Sequence, residues 1–213
     1  MAAANAAVGL PRPLEQTHYG RMLSPHAFPF LDPSDDGDSL GRLGKYRLVQ
    51  LIGEGASCFV FEGTDIKLLR TVAVRVLKPL LFHDSKARSR FLAESRAGAA
   101  IQHPNVLPVY EVCECEFVLY AVIAFNTGET LEAHLQRENR LGLDKIRELG
   151  IGICQGLQAI HDARLIHGDL KPGNVLLGDS IWLSDFGGSE SHQTTTMCYA
   201  APEQVDQANA DHR

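Results

Sequence analysis

The chain has 213 residues, of which 45% are apolar and 22% are charged, so it can bury a core and is not disordered throughout. Its formal charge is −6 and it has no Lys/Arg run, which argues against gripping nucleic acid through phosphates. No apolar stretch nears the roughly 18 residues of a membrane span, and the Met-Ala-Ala-Ala-Asn start lacks the basic and apolar regions of a signal peptide.

The five cysteines are Cys58, Cys113, Cys115, Cys154 and Cys198, an odd number without Cys-x-x-Cys. They read as reduced thiols, and the expected location is cytoplasmic.

Residues 1–43 read as a flexible N-terminal tail. Pro11, Pro13, Pro25, Pro29 and Pro33 interrupt any periodicity, and Asp32–Asp38 is rich in Asp, Ser and Gly. Phe28, Phe30 and Leu31 are apolar enough to dock, but a bare tail is the simpler expectation. Strands are expected over Tyr46–Ile52, Cys58–Gly63 and Thr71–Leu77. A helix rich in Ala, Arg and Glu follows over Ser85–Ile101 and stops before His103-Pro104-Asn105. Val106–Glu111 and Phe117–Phe125 read as two more strands, and Thr130–Gln136 as a short helix. Asp144–Arg164 is a longer helix whose Ile146, Leu149, Ile153, Leu157 and Ile160 form one apolar stripe. Short strands are expected at Val175–Leu177 and Ile181–Leu183. Strands first and helices second argue for an α+β chain of two lobes.

Gly53-Glu-Gly55-Ala-Ser-Cys58-Phe-Val60 lies between two strands. Glycines let a backbone approach a phosphate and turn its N–H groups inward. No helix follows, so a dinucleotide fold is not indicated, and an ordinary hairpin turn explains Gly-x-Gly as well. His167-Gly168-Asp169-Leu170-Lys171-Pro172-Gly173-Asn174 is more specific. One loop offers a base for a hydroxyl, a cation for a phosphate and an oxygen ligand for a hard metal. Asp185-Phe186-Gly187 begins sixteen residues after Asp169. Asp185 and Asn174 suit a shared Mg²⁺, which takes few protein oxygens.

From Tyr46 to Glu203 the sequence resembles the eukaryotic-type protein kinases, most of all their bacterial serine/threonine branch. Gly53, Gly55 and Val60 match the phosphate-covering loop. Val72-Ala73-Val74-Arg75 stands where the family has Val-Ala-Ile-Lys. Phe91-Leu92-Ala93-Glu94 is similar to the helix whose Glu pairs with that basic residue. Ile123-Ala124-Phe125-Asn126 matches the hinge, with Ile123 as gatekeeper. Thr196-Met197-Cys198-Tyr199-Ala200-Ala201-Pro202-Glu203 resembles the end of the activation segment. The resemblance implies a two-lobed protein-kinase-like fold over 44–213, with an N-lobe over about 44–125 and an incomplete helical C-lobe over about 126–213.

It also implies a serine/threonine protein kinase using ATP and Mg²⁺ on a protein hydroxyl. Asp169 is then the base, and Lys171 offsets charge on the transferring group. Arg75 and Glu94 form the ion pair, and Asn174 and Asp185 hold the metal. Ile52, Gly53, Gly55, Val60, Ala73, Arg75 and Leu176 surround the nucleotide. Backbone groups of Ala124 and Asn126 hold the adenine, so side-chain identity there is expected to matter little.

Four departures qualify the resemblance. Arg75 replaces a lysine and is expected to pair bidentately with Glu94. Lys78, an odd offset along the strand, points to the other face and is a poor substitute. Cys58 stands where a third glycine is usual. Gly168 replaces the arginine before the catalytic aspartate, so phosphorylation at Thr194, Thr195 or Thr196 is not expected to be the on-switch. The chain runs only ten residues past Glu203. A fragment, a truncated gene product or a chain completed by a partner chain is therefore expected, with transfer impaired, and a nucleotide-binding or scaffold pseudokinase is the alternative function.

Overall fold

The computed structural model describes residues 28–34, 39–115, 117–138, 140–186 and 197–200. The first lobe is a six-stranded antiparallel sheet of β1 (Gly41–Leu43), β2 (Tyr46–Glu54), β3 (Cys58–Asp65), β4 (Arg70–Leu77), β5 (Val109–Cys115) and β6 (Val118–Ala124). Its spatial order is β1-β2-β3-β4-β6-β5. Helix α1 (Ser85–Ala100) crosses it between β4 and β5. Asp84 caps that helix by accepting from the backbone N–H of Lys86 and Ala87.

The sheet is covered on both faces, which is why β6 reads as an unbroken apolar run and is buried at every position. On the inner face Cys58, Leu77, Leu119 and Ala121 pack with Phe91 of α1. On the outer face Phe61, Val72, Val74, Val76, Tyr120 and Val122 form a second core, and Phe28 belongs to it. The bare tail expected through residue 43 is therefore corrected over its described part. Phe28 is only 7% exposed, Phe30, Leu31 and Leu40 pack beside it, and β1 pairs with β2. The outer face of β3 and β4 is too apolar to leave in water, and this segment supplies the cover.

The strand expected over Val106–Glu111 begins instead at Val109. The bend at His103-Pro104-Asn105 carries Val106 away from β6 and onto the second lobe. Val106 bridges Leu183, and Leu107 N–H donates to Leu183 O at 2.9 Å.

The second lobe holds a small sheet of β7 (Glu129–Thr130), β8 (Val175–Leu177) and β9 (Ile181–Leu183), with α2 (Leu131–Glu138) and α3 (Leu143–Asp162). Thr130 Oγ1 accepts from Ala133 N–H and starts α2. Leu149 and Ile160 of the expected α3 stripe are buried, and Ile153 and Leu157 partly so. Ile146 is 49% exposed, which corrects its place in the stripe. Two glycines carry the packing in its stead. A Cβ on Gly156 would lie 2.7 Å from Asn105 O and 2.8 Å from Leu183 Cδ1. A Cβ on Gly152 would lie 3.1 Å from Ile181 Cδ1.

Opposite effects are expected from one substitution at two positions of α3. A Cβ on Gly150 would meet nothing within 4 Å, so Gly150→Ala should stabilise by up to about 1 kcal/mol through helix propensity. At Gly156 the contact with a backbone oxygen outweighs that gain, so Gly156→Ala should destabilise by about 1–3 kcal/mol. Denaturant melts of the two variants check both signs.

Candidate active site

The turn between β2 and β3 carries Gly53 and Gly55. Gly55 N–H donates to Cys58 O at 2.8 Å and closes the turn, while Gly53 pairs with Val60 across it. Cys58 opens β3 and is buried on the inner face, so it does not crowd the tip. Val60, Ala73, Leu107, Ile123, Ala124 and Leu176 form one apolar cluster, with Ile52 packed against it. Residues from both lobes thus line a common wall.

Ala124 N–H donates to Pro108 O at 2.9 Å. The Asn126 carboxamide donates to Leu177 O at 3.4 Å and accepts from Gly128 N–H at 3.4 Å. The carboxamide thus links the connection between lobes to the end of β8.

The loop after α3 turns sharply. Arg164 and Gly168 have φ of 59° and 77°. Gly168 is therefore a backbone requirement as well as a lost cation, since a side chain at that φ is strained. Asn174 Nδ2 donates to the Asp169 carbonyl at 2.7 Å and to Asp169 Oδ2 at 3.1 Å. Lys171 Nζ donates to the same Oδ2 at 2.8 Å. Both donors converge on one oxygen. Asp169 Oδ1 and Asn174 Oδ1 are buried without a protein partner. A buried oxygen left so is costly unless something else is to bind it, and Asn174 Oδ1 is a hard donor suited to Mg²⁺.

Ser184, a residue the motifs did not single out, fixes the second half of the site. Its N–H donates to Asn174 O at 3.0 Å and its Oγ donates to the same oxygen at 3.3 Å. This sets Asp185, the next residue, beside Asn174. Asp185 itself has φ of 55°, a left-handed conformation that aspartate tolerates better than most residues. Asn105 is a second residue missed at the sequence level. Its Nδ2 donates to Ile181 O at 2.9 Å and pins the segment after α1 to β9. Neither has a motif signature, because each acts through backbone geometry.

Arg75 joins the lobes. Its Nη2 donates to Glu94 Oε2 at 2.7 Å and its Nη1 to Asp185 Oδ1 at 2.9 Å. The expected bidentate Arg75–Glu94 pair is thus a fork between two carboxylates. About a sixth of each side chain stays exposed. Burial works against the guanidinium charge, but the carboxylates of Asp185 and Glu94 outweigh it and hold the group well above its ordinary value. Burial pushes the Asp185 carboxyl up, against the pull of Arg75. Lys78 donates to Glu54 at 2.7 Å, outside this cluster.

The protein kinase domain family matches residues 46–213. The chain belongs to the protein kinase family. It is 34% identical over 179 residues to the serine/threonine-protein kinase PknA of Mycobacterium tuberculosis, covering 76% of this chain and 42% of that one. It is also 34% identical over 179 residues to the probable serine/threonine-protein kinase PknB of Lactococcus lactis, covering 78% and 28%. The crystal structure of the Mycobacterium tuberculosis PknI kinase domain superposes with a TM-score of 0.67 at 25% identity, covering 84% of this chain and 71% of that one. The chain therefore spans less than half the length of the curated relatives PknA and PknB. The likeness bears out the two-lobed α+β kinase fold. Among the described residues no helix is long and apolar enough to cross a membrane. Thr194, Thr195 and Thr196, and the Ala201-Pro202-Glu203 end of the segment, lie outside the described residues.

His167 gives this kinase domain a pH dependence. Burial pushes its imidazole down to about 4 from an ordinary 6.5, beyond what Asp169 restores. The unfolded chain takes up the proton near 6.5 and the folded chain only near 4. Stability from this group is therefore full above about 6.5 and falls as pH drops toward 4, by about 3 kcal/mol in all. Melts of wild type and His167→Asn between pH 7 and 4.5 should converge at the acid end.

Proposed function

We propose that this chain transfers the γ-phosphoryl group of ATP to a Ser or Thr hydroxyl of a protein substrate. The observation that carries the reading is the convergence of Lys171 and Asn174 on one oxygen of Asp169, leaving the other oxygen unpartnered. An aspartate so held keeps its orientation and presents a free acceptor. Its Oδ1 takes the proton as the substrate oxygen attacks phosphorus. Lys171 offsets charge on the transferring group. Gly53 and Gly55 let the loop backbone reach the phosphates, and Val60, Ala73 and Leu176 enclose the adenine. The unpartnered Asn174 oxygen and the Asp185 carboxylate fit Mg²⁺ and are the residues that would hold it. When bound, the metal neutralises developing charge on the phosphate oxygens. Five unpaired cysteines suit a reducing, cytoplasmic setting.

A specific observation favours a second reading, a nucleotide-binding scaffold with little or no transfer. Arg75 donates to Asp185, the expected metal ligand, and a planar fork grips that carboxylate differently from a lysine. The partner reading rests on α3. Leu143 and Ile151 are 85% and 51% exposed beside Ile146, and a further protein segment or partner chain would cover them.

Nucleotide and metal together should raise the melting temperature. A ligand at a hundred times its dissociation constant adds about 2.7 kcal/mol. Arg75→Lys should raise phosphoryl transfer to a Ser/Thr substrate by about ten-fold, a barrier change of roughly 1.4 kcal/mol. Asp169→Ala should lower it by about a hundred- to ten-thousand-fold. Radiolabel transfer checks both. No transfer from wild type or Arg75→Lys, with the thermal shift intact, would leave the scaffold.

A further inference from the structure

We propose that the segment around Phe28 braces the phosphate-covering loop, and that Phe28 is a positioning residue for the phosphates of ATP. The proposal rests on reading Gly53–Val60 as that cover. The Phe28 ring meets Phe59 at 5.4 Å and Phe61 at 4.9 Å, both edge to face, a geometry that attracts beyond the area it buries. Phe59 pairs with Glu54 across the turn that carries Gly55. Phe28 therefore presses on the outer face of β3, whose inner face carries Val60 toward the nucleotide wall.

Other contacts hold the segment in place. Asp32 and Arg42 exchange backbone hydrogen bonds at 2.9 and 2.8 Å. Gly41 has φ of 147°, and a Cβ there would sit 2.8 Å from both Asp32 O and Leu31 Cβ. Only glycine lets the segment lie this close. On the same outer face Lys78 spans the turn, with Nζ on Glu54 Oε1 and 5.0 Å from the Phe59 ring centroid. The turn is thus clamped from outside at both its strands.

The consequence is selective. Beyond Leu48, β2 pairs with β3 alone among the described residues, so the end of β2 that carries the turn has one neighbouring strand to order it. Ordering its N–H groups before binding removes an entropy loss that the phosphates would otherwise offset. Adenosine meets Val60 within β3 but has no phosphates to take up the N–H groups of the turn, so it gains less from an ordered turn.

The test is calorimetric binding of ATP with Mg²⁺, and separately of adenosine, to the 213-residue chain and its variants. Phe28→Ala should weaken ATP by about five-fold or more and leave adenosine within about two-fold. Gly41→Val, which dislodges the segment without touching Phe28, should do the same. Phe28→Leu should recover most of the ATP affinity. Val118→Ala, in the same outer core but on β6, should lower the melting temperature and leave the ratio of the two affinities unchanged. Equal losses for both ligands, or none for ATP in a folded Phe28→Ala, overturn the brace. If wild type itself binds ATP no better than adenosine, the reading of the loop fails first and the brace fails with it. If Phe28→Ala does not fold, Gly41→Val and Phe28→Leu decide.

Discussion

The guanidinium of Arg75 is the point on which the arrangement turns. It draws β4, α1 and the loop after β9 together through two carboxylates that lie 19 and 110 residues away in sequence. Such a cluster is unforgiving. Removing charges from water is costly, and the return comes only if every partner is present with good geometry. Loss of one partner leaves a charge buried and unpaired. Three carboxylates, Glu94, Asp169 and Asp185, face two cations, Arg75 and Lys171. The cleft is therefore short of positive charge, and a polyanionic nucleotide suits it only with a metal ion alongside.

The rest of the fold sets how closely those three elements approach. α1 brings Glu94, and Asn105 pins the segment after α1 to β9. The distance between β9 and α3 depends in turn on Gly152 and Gly156, where methyl groups would collide with Ile181, Leu183 and Asn105. Gly156 thus reaches the ion cluster without touching it: a wider gap moves β9, Ser184 and then Asp185. Packed elements transmit such shifts because interiors have few voids in which to absorb them.

Much of this was legible in the sequence. Motif order named the family, and β-branched runs located β2, β3, β4, β8 and β9 to within a few residues. Chemistry-bearing side chains declare themselves because few residue types serve each task. The readings that failed share a cause, since each depended on what lay across a gap. Phe28 in a proline-broken stretch looks like tail until the bare outer face of β3 and β4 is known to need cover. Val106 alternates like a strand residue, yet its partner is Leu183 in the other lobe. Ile146 has the right spacing for the α3 stripe, but the buried face runs through Leu149 and Ile160 beside Gly152 and Gly156 and leaves Ile146 outside it.

Arginine at position 75 has a structural logic of its own. A lysine is a compact charge that meets two carboxylates from one atom, whereas the guanidinium gives each its own nitrogen. The fork fixes both directions at once and keeps Glu94 and Asp185 at a set separation. In the proposed function that rigidity would order the cleft before nucleotide binds and lower the entropy lost on binding. It also occupies Asp185 Oδ1, so in the proposed site a metal would use the other carboxylate oxygen or displace a charge-assisted hydrogen bond. Order gained at Arg75 is thus set against freedom of the proposed metal ligand, and in the proposed function the balance between them separates phosphoryl transfer from a nucleotide-binding scaffold.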